Sequence, residues 1–163
     1  MPEVISDTSP LQYLHQLGLL HLLPALAGRI VVPTSVESEL LVGRDLGVDL
    51  PDPARLDWVE ICRPNSRPAL PLVNDLGPGE TETLMLALER PGAIVLLDDG
   101  LARRVAGLLE IRFTGTLGLL LDAKRKGLIS SLRPLLDNLQ ALRFRLSPLT
   151  RSTILERAGE AEF

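Results

Sequence analysis

Aromatic residues make up only 3% of this chain, which also has one cysteine, two lysines and two histidines. The shortage of aromatics removes the stacking platforms on which many single-strand nucleic-acid binders rely. A lone Cys62 rules out an internal disulfide, and also a thiolate zinc site built from this chain alone. No segment reaches the roughly 18 uninterrupted apolar residues of a membrane span. Glu3 stands where a signal peptide would be basic, and polar residues follow at once. The sequence therefore predicts a cytoplasmic protein with no membrane partner. Excess positive charge is missing too. The formal net charge is −4, so the chain as a whole does not steer toward a polyanion. A divalent cation bound among grouped acids would reverse the sign locally.

What the chain has is aliphatic bulk. Hydrophobic residues are 45% of its 163 positions, mostly Leu, Val, Ile and Ala, enough for a sizeable core in one domain spanning 1–163. Val4-Ile5 reads as a short buried strand. Leu11, Leu14, Leu17 and Leu19 through Leu26 recur at helical spacing, broken by Gly18 and Pro24. Ile30 to Val32 is a second strand, ended by Pro33. Thr34 or Ser35 can cap a helix running to about Leu41, with Gly43 as its stop. Residues 43–78, rich in proline, read as an irregular excursion around one strand-like patch at 58–61. A helix over 80–89, the clearest strand over 93–97, a helix over 101–109, a strand over 111–113 and a helix over 117–126 follow. Helical runs near 132–142 and 149–158 complete the chain. Strands alternating with helices predict a mainly parallel sheet covered on both faces.

Ligands of such sheets sit at the carboxyl ends of the strands. That rule singles out Asp7, Asp98 and Asp99, each following apolar strand residues. Asp7 could equally be an Asx turn or the cap of a helix with Pro10 near its start. Of Asp98-Asp99, one can cap the next helix while the other points over the sheet edge. Glu80 shares a helix face with Leu84 and Ala87, whereas Glu82 and Glu89 form a stripe that looks solvated. Glu39 lies one turn after Val36 and alone says little. Carboxylates from separate strand and helix ends suit a hard cation such as Mg²⁺ or Mn²⁺. His15 and His21 lie on an apolar run, which points to packing rather than ligation.

At these residues the chain resembles the PIN-domain proteins, and among them the VapC-type toxins. The matching pieces are Ser6-Asp7-Thr8-Ser9-Pro10-Leu11, Val32-Pro33 with Val36-x-x-Glu39-Leu40, and Gly79-Glu80-Thr81-Glu82. Leu97-Asp98-Asp99-Gly100-Leu101-Ala102-Arg103, Thr114-Gly115-Thr116-Leu117-Gly118 and Ala123 to Leu128 follow in family order. The resemblance covers a core of about 3–130, with C-terminal helices at about 131–160. It implies a three-layer α/β/α fold and a Mg²⁺- or Mn²⁺-dependent ribonuclease centre. Asp7, Glu39, Glu80 and one of Asp98 and Asp99 match the family's acids. The third acid is Glu where VapC toxins usually carry Asp, and Leu97 replaces the usual polar residue before the fourth. The resemblance also implies a cognate antitoxin and a homodimer. Arg103, Arg104 and Lys124 are the cations that could meet RNA phosphate; a solvated helix face or a favourable helix end accounts for them as well.

Three functions compete at this stage. The first is metal-dependent RNA cleavage by the toxin of a toxin–antitoxin pair. The second is a degraded PIN-like module that binds a partner or RNA. The third is a phosphatase with Asp7 as nucleophile, but such enzymes carry a second Asp two residues later, where this chain has Ser9.

Overall fold

The computed structural model describes residues 2–65 and 75–161. Their elements are β1 (Val4–Ser6), α1 (Thr8–Gln16), α2 (Leu22–Ala27), β2 (Ile30–Pro33), α3 (Thr34–Asp45), β3 (Val59–Cys62) and α4 (Pro78–Glu89). Then come β4 (Ile94–Leu96), α5 (Gly100–Leu108), β5 (Arg112–Thr114), α6 (Thr116–Arg125), α7 (Arg133–Ala141) and α8 (Pro148–Arg157). The proline-rich stretch contributes a 3₁₀ turn at Pro53–Arg55 and β3, and its residues 66–74 lie outside the described residues.

The described strands form one parallel sheet in the order β3-β2-β1-β4-β5. Val4-Ile5, Ile30-Val31-Val32 and Ile94-Val95 are runs of branched residues, which suit inner strands covered on both faces. Alternation splits them between two cores. Val4, Ile30, Val32 and Leu96 join α1, α2, α3, α6, α7 and α8 on one side. Ile5, Val31, Val95 and Leu97 join α4 and α5 on the other. The architecture is an α/β/α sandwich.

Strand order places the site. The chain builds β2 and β3 on one side of β1, then crosses through α4 to build β4 and β5 on the other. That reversal opens a crevice at the carboxyl ends of β1 and β4. The two ends are locked together by the pairing of Ser6 with Leu96 and by the Asp7 N–H, which donates to the Leu96 carbonyl at 3.1 Å.

Two local expectations need correction. Gly43 does not stop α3, which runs on to Asp45 and turns at Gly47 (φ 85°). A Cβ on Gly43 would collide with the Leu50 side chain, so glycine serves close packing there. The sequence predicts core or boundary packing for both histidines, and only His15 keeps a boundary place, half-buried. Gly18 (φ 73°) ends the first helix and splits the apolar run, leaving His21 exposed and the His15 Nε2 2.9 Å from Asp49 Oδ1.

Candidate active site at the β1–β4 crevice

Asp7 is the first residue after β1. It occupies the N-cap position of α1, yet its side chain makes no capping hydrogen bond, so the cap role open to it in the sequence is not filled. The residue is 2% exposed, and its Oδ1 is buried with no hydrogen-bond partner. Leaving a buried acceptor bare is costly. Burial pushes the Asp7 pKa up to about 8; the negative charges of Glu80, Glu39 and Asp98 add to this, and the Thr8 backbone N–H opposes it.

Glu39 and Glu80 arrive from α3 and α4. Glu39 Oε1 accepts the Gly79 N–H at 3.0 Å, and Oε2 accepts the Thr8 hydroxyl. A Cβ on Gly79 would lie 2.8 Å from Glu39 Oε2 and 2.9 Å from Asp7 Oδ1. The two carboxylates therefore converge over the bare first turn of α4. Half-buried Glu80 folds back toward Gly77. Burial raises its pKa, backbone N–H groups at the start of α4 oppose the rise, and Glu39 and Asp99 add to it. Glu82 does not belong to a solvated stripe. Its Oε1 accepts the Ser35 N–H at 2.7 Å and the Thr34 hydroxyl at 3.1 Å, capping α3.

The adjacent aspartates divide their work. Asp99 caps α5, its Oδ2 accepting the Ala102 N–H at 2.9 Å. Asp98 turns to α6 instead, accepting the Thr116 N–H at 2.8 Å and the Thr116 hydroxyl at 2.7 Å. Burial raises the Asp98 pKa, while Thr116 and the nearby Arg103 hold it down. The acids thus rest against helix N-termini, whose N–H groups and dipoles make such crowding tolerable.

The profile of the family DUF3368, a PIN domain, matches residues 3–160. The chain belongs to this PIN-domain family. No match to a curated protein was found. PIN domains are generally nucleases, and those nucleases generally use divalent metals. Among the described residues of this PIN domain, no three His, Cys, Asp or Glu side chains are grouped to hold an ion. The bare Asp7 Oδ1 beside Glu39 still fits one, because Mg²⁺ commonly takes one or two carboxylates and fills its sphere with water and substrate phosphate.

The proposed cations stand apart from the acids or are engaged. Arg103 donates from Nε to the Leu97 carbonyl at 2.9 Å and lies over the Phe113 ring, 5.4 Å from its centre. Arg104 is exposed. Lys124 sits at the far end of α6 from Thr116, with its Nζ 2.7 Å from Glu160. Sequence reasoning missed the supports Thr8 and Thr116. Both lie within the family-like segments, and a search for hydroxyls flanking the acids would have found them.

Proposed function

We propose that this PIN domain is a metal-dependent endoribonuclease of the VapC type, acting on single-stranded RNA in the cytoplasm. The observation that carries the reading is Asp7, a buried carboxylate with a bare oxygen at the switch point of the sheet. Asp7 and Glu39 would hold Mg²⁺ or Mn²⁺, with Glu80 and Asp98 around them and Asp99 at the rim. Such a cation, when bound, supplies an acidified water and charge neutralisation at the phosphoryl oxygen. The chain's own residues do the positioning. Thr8 and Gly79 fix the Glu39 carboxylate, and Thr116 fixes Asp98. Glu80, with its raised pKa, is the group to take a proton from the attacking water. The chain acts as one domain, and a cognate antitoxin and a second copy are the partners this reading entails. Purified protein should cut single-stranded RNA only with Mn²⁺ or Mg²⁺, and Asp7→Asn should slow cutting by about 10³-fold, within the range for a lost acid–base or charge-stabilising group. Cutting that survives both Asp7→Asn and chelation would overturn the proposal.

One observation favours a second reading, a non-catalytic PIN module that binds RNA or a protein. Among the described residues no three-ligand metal cluster is preformed. Calorimetric titration with Mn²⁺ separates the two: a retired site gives no binding heat, and a working one binds.

A further inference from the structure

Facing the acids across the crevice is the turn between α7 and α8. Arg143, Phe144 and Arg145 line the same pocket, of about 290 Å³, as Glu80, Asp98 and Asp99. Among the described residues, neither arginine side chain makes a hydrogen bond or an ion pair. Both arginines are exposed, so their guanidiniums are open to a ligand that reaches the acids. Both signs of charge are what a phosphodiester needs: acids for a cation at the reacting phosphate, and arginines for its neighbours.

The turn is held in place. Phe144 packs edge-on against Tyr13, with ring centres 5.0 Å apart at 86°. Tyr13 also lines the pocket, and burial together with the charge of Asp98 raises its pKa, so its hydroxyl keeps its proton. Arg143 ends α7 in the left-handed region (φ 67°), its N–H donating to the Gln140 carbonyl while the Phe144 N–H donates to Leu139. Gly18, Gly47, Gly127 and Gly159 fill the equivalent place after α1, α3, α6 and α8. At α7 an arginine takes a conformation that glycine adopts without strain. Glu110 does the same after α5, so backbone strain alone assigns nothing. Position does, because Arg143 is the one at the acids.

We infer that the Arg143-Phe144-Arg145 turn is the strand-binding wall of the cleft, with Arg143 and Arg145 gripping backbone phosphates of single-stranded RNA next to the scissile one. It supplies locally the positive charge that the net −4 withholds. The inference rests on the ribonuclease reading and adds the residues that hold its substrate.

The test uses a labelled oligouridylate and the full chain carrying Asp7→Asn, without divalent cation, over a salt series. Adding Arg143→Gly and Arg145→Ala should weaken binding about 10-fold or more. It should also flatten the slope of log affinity against log salt by about 1.4, since each single-strand phosphate contact contributes about 0.7. Glycine at 143 relieves the left-handed residue, so Tm should not fall, which separates lost contact from lost fold. With Asp7 intact, the same two substitutions should leave Mn²⁺ affinity within about 2-fold, as expected for residues that hold RNA rather than the cation. Unchanged affinity and slope, in a parent that does bind the RNA, would overturn the inference and leave the ribonuclease reading standing. Tighter binding or faster cutting would overturn it as well, because the arginines would then be shielding the acids. A chain that binds no RNA as Asp7→Asn and, with Asp7 intact, cuts none with Mn²⁺ would remove both.

Discussion

At Gly79 the missing side chain gives two carboxylates room to meet. A Cβ there would stand within 2.9 Å of oxygens from both Asp7 and Glu39. Gly79→Ala should therefore push the two carboxylates apart, lowering Tm slightly and lowering Mn²⁺ affinity about 10-fold or more, read by melting and by calorimetry. An unchanged Mn²⁺ affinity would show that the cation does not sit between Asp7 and Glu39. The positions of Asp7 and Asp98 were legible as acids directly after apolar strands. Glu39 was legible only through the family resemblance, because its local spacing says little and its contact with Gly79 lies forty residues away. That one of Asp98 and Asp99 would cap the next helix was legible; which one was not, since it depends on Thr116 arriving from α6 to take Asp98.

Among the elements, α3 and α4 complete each other. Glu82 of α4 caps the start of α3 at Ser35, and Glu39 of α3 accepts the Gly79 N–H at the start of α4. The Ser35 hydroxyl adds a bond to the Pro78 carbonyl at 3.1 Å. Each helix N-terminus thus receives a carboxylate from its partner, and the exchange aligns Glu39 over Gly79. Glu82→Ala leaves the Ser35 N–H and the Thr34 hydroxyl without this acceptor, at a cost of about 1 kcal/mol. Tm should drop by about 2–4 °C for a chain of this size. Mn²⁺ affinity should fall as well, because α3 carries Glu39; a melt that shifts with no change in Mn²⁺ binding would mean the exchange is purely structural. The periodicity of α3 and α4 was readable, yet Glu82 was misplaced on a solvated face. Periodicity gives the face of a helix and not the neighbour that covers it. Gly43 misled in the same way, read as a helix stop when its role is to admit Leu50.

Across the whole molecule, two kinds of carboxylate pull stability in opposite directions with pH. A parallel sheet was implied by alternating strands and helices, but its order was not, and it is the order that brings Asp7 and Asp98 to one crevice. Glu160 lies at the other end of α6, where Lys124 Nζ (2.7 Å), the Ser131 hydroxyl (2.6 Å) and the Leu132 N–H (2.7 Å) all meet its carboxylate. Burial alone would raise the Glu160 pKa, but these donors bring it down to about 2. A lowered pKa stabilises the fold above the unfolded value, and that stability is lost as pH falls toward about 2. Asp7 has the reverse sign. Its pKa is raised to about 8, so its neutral form suits the fold, and stability drains away as pH climbs from about 4 to 8. The raised pKa values of Glu80 and Asp98 act in the same direction. The metal-free protein should therefore melt highest near pH 4–5, below the neutral range where many proteins peak. Each pKa unit is worth about 1.4 kcal/mol, so Asp7→Asn should raise Tm at pH 8 by several degrees and change it little at pH 4. Saturating Mn²⁺ should restore the neutral limb, since a ligand of the folded state stabilises it by mass action and this one prefers Asp7 ionised. Binding near pH 7 should then release close to one proton, measurable by calorimetry in buffers of different ionisation enthalpy. A melting curve that is flat from pH 4 to 8 in both the parent and Asp7→Asn would show that Asp7 is not held neutral by its surroundings.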